Sequence, residues 1–467
     1  MKRPDSRLPL WLIVAYGCIA MPLSTIGLPL SIYLAPFYAG ELALSLAALG
    51  IAMVLARLVD VVVDPIIGIV SDRWRPSAGR RKIWLPIGVS ALGVGSWMLF
   101  QPSTANIGIA YFFIWTTIMY VGFTATKLPY EAWGAELSTD YAERTRVASF
   151  RQAFSLIGLV VATVVPALIL MQAGNTSADV LRGMSWIILG LLPLCALIAF
   201  WVVPDASPAE VESGESVWRQ WRGLLRNGPF RRIGLALFIG YIAETARVTI
   251  TLFFARDAIG VTNIGAVYVY YFIAGLVGVP LWFYLGNRLG KHRALALAFG
   301  LLILFNSAIF FLSRGQELAF TMLFIAKGLC FGALELLPAA MIADTVDIDA
   351  ARTRRQRQGL YFAAVGILVK FGQALGQGLS LNILDFVGYK AAGGNDEAAI
   401  TSLRLLYAIL PNILLLITIW LIWRYPLTAL RHARLRAALE RRDAAALTAA
   451  ANFEKPTTNQ PVAGDQI

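Results

Sequence analysis

Long apolar runs fill most of the chain and are broken at near-regular intervals by short polar loops rich in Arg and Lys. A membrane-crossing helix needs roughly 20 mainly apolar residues. That ruler predicts twelve spans, at 9–38, 44–71, 83–101, 107–136, 147–171, 183–203, 231–256, 263–286, 294–313, 318–345, 358–386 and 403–424. Between spans six and seven lies the longest polar segment inside the apolar array, where DASPAEVESGES is followed by several arginines. It predicts two six-span bundles, residues 1–203 and 230–425, joined by a linker at 204–229 and followed by a tail at 426–467. The Ala/Arg-rich start of the tail predicts a helix lying on the membrane surface. At the N-terminus no short apolar core precedes a small-residue cleavage site, so the first span is expected to be retained. The expected fold class is an all-α membrane protein of two pseudo-symmetric six-helix bundles.

Composition narrows the function classes. The chain is 58% hydrophobic, only 15% charged, and has a mean hydropathy of +0.66. A water-soluble protein carries about 25% charge, so a soluble enzyme, a nucleic-acid binder and a disordered scaffold are all excluded. The net charge of +12 and pI near 9.7 come from one-sided loops. Loops on one side hold 29 Lys and Arg, against 5 on the other. By the positive-inside rule both termini and the linker are cytoplasmic, in a cell inner membrane. The basic balance therefore calls for no nucleic-acid partner. Cys18, Cys195 and Cys330 fit no disulfide or zinc spacing and read as small core residues.

Charges left inside the spans carry the functional signal. They are Arg57, Lys127, Arg151, Arg247, Lys327 and Lys370, against Asp60, Asp64, Glu131, Glu244 and Glu335. Each would cost about 2.5–3.5 kcal/mol or more facing lipid, so they are expected to pair around an internal solute path. Arg57, Asp60 and Asp64 share one face of span two, and Glu244 and Arg247 are spaced to pair on span seven. Counting from the span ends at 1.5 Å per residue places Lys127 at the depth of Asp60 and Asp64. Glu335 and Lys370 fall near the same level.

An internal repeat relates the halves. AELSTDYAERTR (135–146) and ADTVDIDAARTR (343–354) align at an offset of 208, each closing an inward-running span. Parallel six-span repeats with substrate bound near the midplane characterise the major facilitator superfamily. Beyond this, ARLVDVVVDPIIGIVSDRWRPSAGRRKIW, PYEAWGAEL, RQAFSLIG, MIADTVD and LVKFGQALG occur in order along nearly the whole chain. These runs resemble the glycoside–pentoside–hexuronide:cation symporters, the melibiose-permease-like branch of that superfamily.

The resemblance implies roles for individual residues. Asp60 and Asp64 match the paired carboxylates that coordinate the coupling cation, Arg151 matches an arginine near the sugar site, and Lys370 matches the span-eleven lysine facing the cation. Departures are equally specific. A neutral stretch near Ser24 replaces a sugar-binding Asp on span one, Lys127 replaces a second on span four, and Glu131 and Glu335 stand where two pocket tryptophans are found. These changes argue against a galactoside clamped by carboxylates and stacked on indole. Tyr16, Tyr33, Tyr120, Tyr130, Trp133 and Tyr361 keep a carbohydrate pocket plausible.

The expected function is secondary active transport of a small polar solute, a sugar or glycoside, by rocker-type alternating access. A lysolipid or amphiphile carrier and a sodium:sugar symporter are the alternatives; a wide apolar opening between spans five and eight would favour the amphiphile. No cofactor is expected beyond a coupling ion, H+ ahead of Na+, and proton-coupled or uncoupled transport is expected over sodium coupling, because Lys127 is placed to occupy the space of a sodium ion. Asp60, Asp64, Lys127, Lys370 and Arg57 form the expected coupling set. Arg151, Glu131, Glu335, Lys127, Tyr120 and Tyr33 form the expected substrate set. Asp72, Arg73, Glu136, Arg144, Asp344, Asp347 and Arg352 are expected to close the cytoplasmic end by charge pairs. Pro65 and Gly68 are expected to let span two pack closely. The chain is expected to act as a monomer in the lipid bilayer, with no catalytic residues and no metal site.

Overall fold

The structure is a computed structural model and describes residues 7–427 except 75, 77–78, 104–106, 139, 173, 206–216 and 354–357. The surface helix expected in the tail lies outside the described residues. Among the described residues twelve apolar helices follow the expected order: α1 (Leu10–Ile32), α2 (Leu46–Arg73), α3 (Trp84–Phe100), α4 (Ile109–Glu136), α5 (Tyr141–Leu170), α6 (Ser177–Val202), α7 (Gly228–Ile259), α8 (Ile264–Leu289), α9 (Lys291–Phe310), α10 (Glu317–Thr353), α11 (Gln358–Phe386) and α12 (Glu397–Trp423). All but α3, which is shorter, are long and apolar enough to cross a membrane.

Local sequence explains where these helices begin and bend. Ser45, Asp140, Asn227, Asn263 and Asp396 each accept a backbone N–H of the first turn. Thr176 and Asp179 form a reciprocal capping box at the start of α6, so the orphan donors of a helix start are met. The first span is broken into short helical pieces, with Gly17, Pro22, Gly27, Pro29 and Pro36 along the broken stretch. Prolines remove a ladder donor and bend a helix. Apolar side chains such as Trp11, Trp186, Trp201 and Trp423 stay exposed, as expected of a lipid-facing belt.

Small residues bring the helices together, the usual means where lipid removes the hydrophobic drive between helices. A Cβ on Gly122 of α4 would meet Leu92 N of α3 at 2.4 Å, and one on Gly328 of α10 would meet Tyr271 O of α8 at 2.3 Å. On α2 the close-packing glycine is Gly50, whose Cβ would lie 2.7 Å from Asn382 Nδ2 and 3.0 Å from Gly378 O on α11. Gly68 does not play the part expected of it, since a Cβ there would meet nothing within 4 Å.

Contacts between the first six helices and the last six are concentrated at one end. Besides Gly50 against α11, Ser45 Oγ lies 3.4 Å from Asp385 Oδ1. Asn263 Nδ2 of α8 donates to Ala167 O of α5 at 2.9 Å, beside the close approach of Gly265 to Ala167. The α5–α8 seam is therefore shut at this end. Toward the terminus-bearing end the α2–α11 seam parts. Gly68 and Gly366, one turn beyond Asp64 and Lys370 on the same helix faces, both have open space where a Cβ would sit.

Candidate transport site

Mid-way along the α2–α11 seam, four charges of opposite sign meet. Lys370 Nζ of α11 donates to Asp64 Oδ2 at 2.5 Å and lies 2.9 Å from Asp60 Oδ2, bridging to both α2 carboxylates. Arg57 Nη1 adds a 3.2 Å bond to Asp60 Oδ2, and its guanidinium carbon sits 3.9 Å from the centre of the Tyr120 ring. From α4, Thr124 Oγ1 lies 2.8 Å from Asp60 Oδ1 and 2.9 Å from Asp64 Oδ1. Asp60 is 1% exposed. Two acids and two bases balance, which lets them remain buried together.

Lys127 is not part of this cluster, contrary to its expected placement. Depth along α4 leaves the direction of the side chain open, and the residue of α4 that faces the aspartates is Thr124. The ammonium of Lys127 lies 5.5 Å from the Phe123 ring centre and lines a cavity of about 200 Å³ with Ser24, Tyr130, Glu131, Arg151 and Gln152. Arg151 Nη1 is 3.2 Å from Glu131 Oε1 there. Three of the expected substrate residues therefore come together between α1, α4 and α5.

Glu335 lines a different and larger cavity, about 350 Å³, walled mainly by α7, α8, α10 and α11 and reaching Ser31 and Arg57. Its other charged residues are Glu244, Arg247 and Lys327. Arg247 donates to Glu244 one turn away, as their spacing indicates. Tyr33 and Tyr120 line neither cavity. Tyr33, 2% exposed, packs in the core, and Tyr120 serves as the platform beneath Arg57. Tyr16 and Tyr130 stack at 4.6 Å, and each hydroxyl donates to the other residue's backbone carbonyl.

At the terminus-bearing end the pairs seen among the described residues lie within each half. Arg81, which the sequence marked only as a loop cation, donates to Ser71 Oγ at 3.0 Å, to Asp72 Oδ1 at 2.6 Å and to Glu136 Oε1 at 2.6 Å. In the second half Lys291 Nζ reaches Asp344 at 2.7 Å. Glu136 and Asp344 are equivalent in the sequence repeat, and each takes a basic residue from the loop before its helix pair. Arg144 Nε donates to Ser138 O at 2.6 Å, Arg73 is exposed and Asp347 is half-buried. The side chain of Arg352 lies outside the described residues.

Among the described residues no group of three or more His, Cys, Asp or Glu is arranged to hold a metal ion. A family model described as MFS/sugar transport protein matches residues 15–429. The chain belongs to the MFS/sugar transport protein family. Members of this family are membrane transporters. The chain is 27% identical over 439 residues to the uncharacterized symporter YnaJ of Bacillus subtilis, covering 88% of this chain and 91% of the relative. It is 22% identical to the isoprimeverose transporter of Lactiplantibacillus pentosus, covering 82% and 81%. The crystal structure of the nucleoside transporter NupG superposes with a TM-score of 0.62 at 14% identity, covering 89% of this chain and all of that one, and it speaks for the fold alone.

Proposed function

We propose that this family member imports a sugar or glycoside by alternating access, driven by protons taken up at Asp60 and Asp64. The observation that carries the proton reading is the position of Thr124 between the two carboxylates, 2.8 and 2.9 Å from their Oδ1 atoms. A hydroxyl has one proton to donate and lone pairs to accept. In the ionised pair held by Lys370 the single hydroxyl proton serves one carboxylate at a time; once one Asp is protonated it donates to Thr124 Oγ1 while Thr124 donates to the other, so both contacts are satisfied in the loaded state. Lys370 then plays the part expected of Lys127, a built-in cation that holds the deprotonated pair and leaves on proton loading. A sodium ion needs several hard oxygen ligands, yet Arg57 is held against Asp60 and Tyr120 and would stay beside it. Each such like-charge pair costs on the order of 4 kcal/mol at an effective dielectric of 20.

Orientation follows from the loop charges: the end carrying both termini faces the cytoplasm of a bacterial inner membrane, and the parted seam is the inward-facing arrangement. Asp72, Glu136, Asp344 and the basic residues around them would exchange partners across the seam when it closes. The solute is read as a sugar from the isoprimeverose-carrying relative and from the polar wall of Ser24, Lys127, Tyr130, Glu131, Arg151 and Gln152. The shut outer end of the α5–α8 seam speaks against an amphiphile entering there. Counterflow in proteoliposomes with a panel of pentose and hexose glycosides tests the reading. At least one should exchange, and Arg151→Ala should abolish its binding, because a guanidinium fork suits hydroxyl pairs. Binding kept within about threefold would reduce Arg151 to a counter-charge for Glu131, and exchange of no glycoside would overturn the proposal.

A further inference from the structure

At the terminus-bearing end the two halves differ in how their basic residues are matched. In the first half Arg80 and Arg81 hold Glu136, and Arg146 holds Glu143. In the second half five arginines are exposed: Arg222 and Arg226 one turn apart on the linker, Arg231 and Arg232 near the start of α7, and Arg424 just after α12. Among the described residues none of the five has a carboxylate partner. The linker is fastened in place. Its short helix Val217–Leu225 leads straight into α7, with Leu224 buried and Trp221 packed against the second-half core. Asn227 Nδ2 then donates to Thr345 O at 3.0 Å and to Tyr361 Oη at 2.9 Å. Arg232 Nη1 donates to the backbone carbonyl of Arg424, which draws two cations to one spot on the α7–α12 seam. Local folding gives no reason for this. Basic residues at the start of a helix oppose its dipole, and α7 has no acid in its first turn to offset them.

We infer that this rim is a binding site for an anionic phospholipid, whose phosphodiester is held by Arg232 and Arg424, with Arg222, Arg226 and Arg231 adding charge around it. Guanidinium forks match phosphate oxygens. Beside the charges lies an apolar surface suited to a lipid and not to a soluble phosphate. Leu225, Trp420 and Trp423 are exposed there, and the Arg424 guanidinium carbon sits 4.9 Å from the centre of the Trp420 ring. Exposed tryptophans at a helix end mark the depth of lipid headgroups, so the headgroup meets the arginines while its acyl chains run along α12. Selection for net charge follows as well, because a zwitterionic lipid brings its own cation toward five arginines. The inference stands apart from the sugar-transport reading.

Displacement of a phosphatidylglycerol labelled on its acyl chain tests it, on the purified full-length protein in neutral detergent micelles. The competitors are unlabelled phosphatidylglycerol, phosphatidylcholine and glycerol 3-phosphate. The variants are Arg232→Gln with Arg424→Gln, Arg222→Gln with Arg226→Gln, and the exposed outer-loop control Lys390→Gln. Phosphatidylglycerol should displace the probe from wild type and control at least about tenfold better than phosphatidylcholine. Each arginine near an anionic lipid surface is worth about fivefold in affinity, so each pair of substitutions should weaken the probe by about 25-fold. The linker pair makes no side-chain bond within the described residues, so its lipid-free melting temperature should match that of wild type. Phosphatidylcholine competing as well as phosphatidylglycerol would overturn the inference. Displacement by glycerol 3-phosphate as strong as by phosphatidylglycerol would make this a soluble-phosphate site and also overturn it. A linker pair that binds the probe within about twofold of wild type would overturn it too, whatever the α7–α12 pair does.

Discussion

Replacing Lys370 with Met should unbalance the seam more than any other single change. The ammonium lies 2.5 Å from Asp64 and 2.9 Å from Asp60, and the three side chains are only 24%, 16% and 2% exposed. With it gone, Arg57 alone faces two carboxylates, and one negative charge is left buried without a partner. Removing one member of a buried pair costs about 3–5 kcal/mol, mostly the desolvation of the abandoned partner. Solvent screening subtracts little here because every group is less than a third exposed. The cost should be relieved by neutralising the partner as well. Asp64→Asn combined with Lys370→Met leaves the Arg57–Asp60 pair, so the double variant should recover at least about 2 kcal/mol of the loss, a coupling within the range for residues in contact. Unfolding of the purified protein in mixed micelles of increasing denaturing detergent measures all three. A Lys370→Met protein as stable as wild type, or a double variant no more stable than the single one, would refute the assignment of Lys370 as the counter-ion.

Other expectations follow from the packing and the inner-end clusters. Arg81→Ala should lose about 1–3 kcal/mol: the 5%-exposed guanidinium bridges Asp72 and Glu136, but Asp72 is 57% exposed and Glu136 keeps Arg80 at 2.8 Å. Arg73→Ala, at an exposed position, should stay within about 0.5 kcal/mol in the same unfolding assay. Gly122→Ala drives a methyl into the α3 backbone and should cost about 1–3 kcal/mol, whereas Gly68→Ala has room and should be near neutral in thermal unfolding. Cysteines at Ser45 and Asp385, whose side chains meet across the shut end, should cross-link on oxidation, stop uptake and be rescued by reductant. Uptake unaffected by the cross-link would mean that this end does not open during transport.

Much of this arrangement was legible because lipid makes charge expensive. Two aspartates one turn apart on an apolar helix have no bland explanation, so Asp60, Asp64 and Arg57 stood out from the chain alone. Their partner Lys370 was named as well, but beside a rival, Lys127, in the same expected coupling set. Counting residues from a span end gives depth, and Lys127 and Lys370 lie at similar depth, but only packing decides which one faces α2. Thr124 was missed because an uncharged hydroxyl is unremarkable in a span. Arg81 was missed as well, although a signal existed: Glu136 and Asp344 are equivalent in the repeat, and both follow basic loops. Tyr33 and Tyr120 illustrate the opposite error, since rings inside spans usually pack.

The central claim is that a proton, and not a metal ion, releases Lys370 from Asp60 and Asp64. Its most direct test is solute uptake into sealed vesicles under one imposed gradient at a time. Acidifying the outside at constant sodium should stimulate uptake, and Asp64→Asn should abolish the stimulation. Strong stimulation by a sodium gradient at constant pH, with none from the pH gradient, would contradict the account.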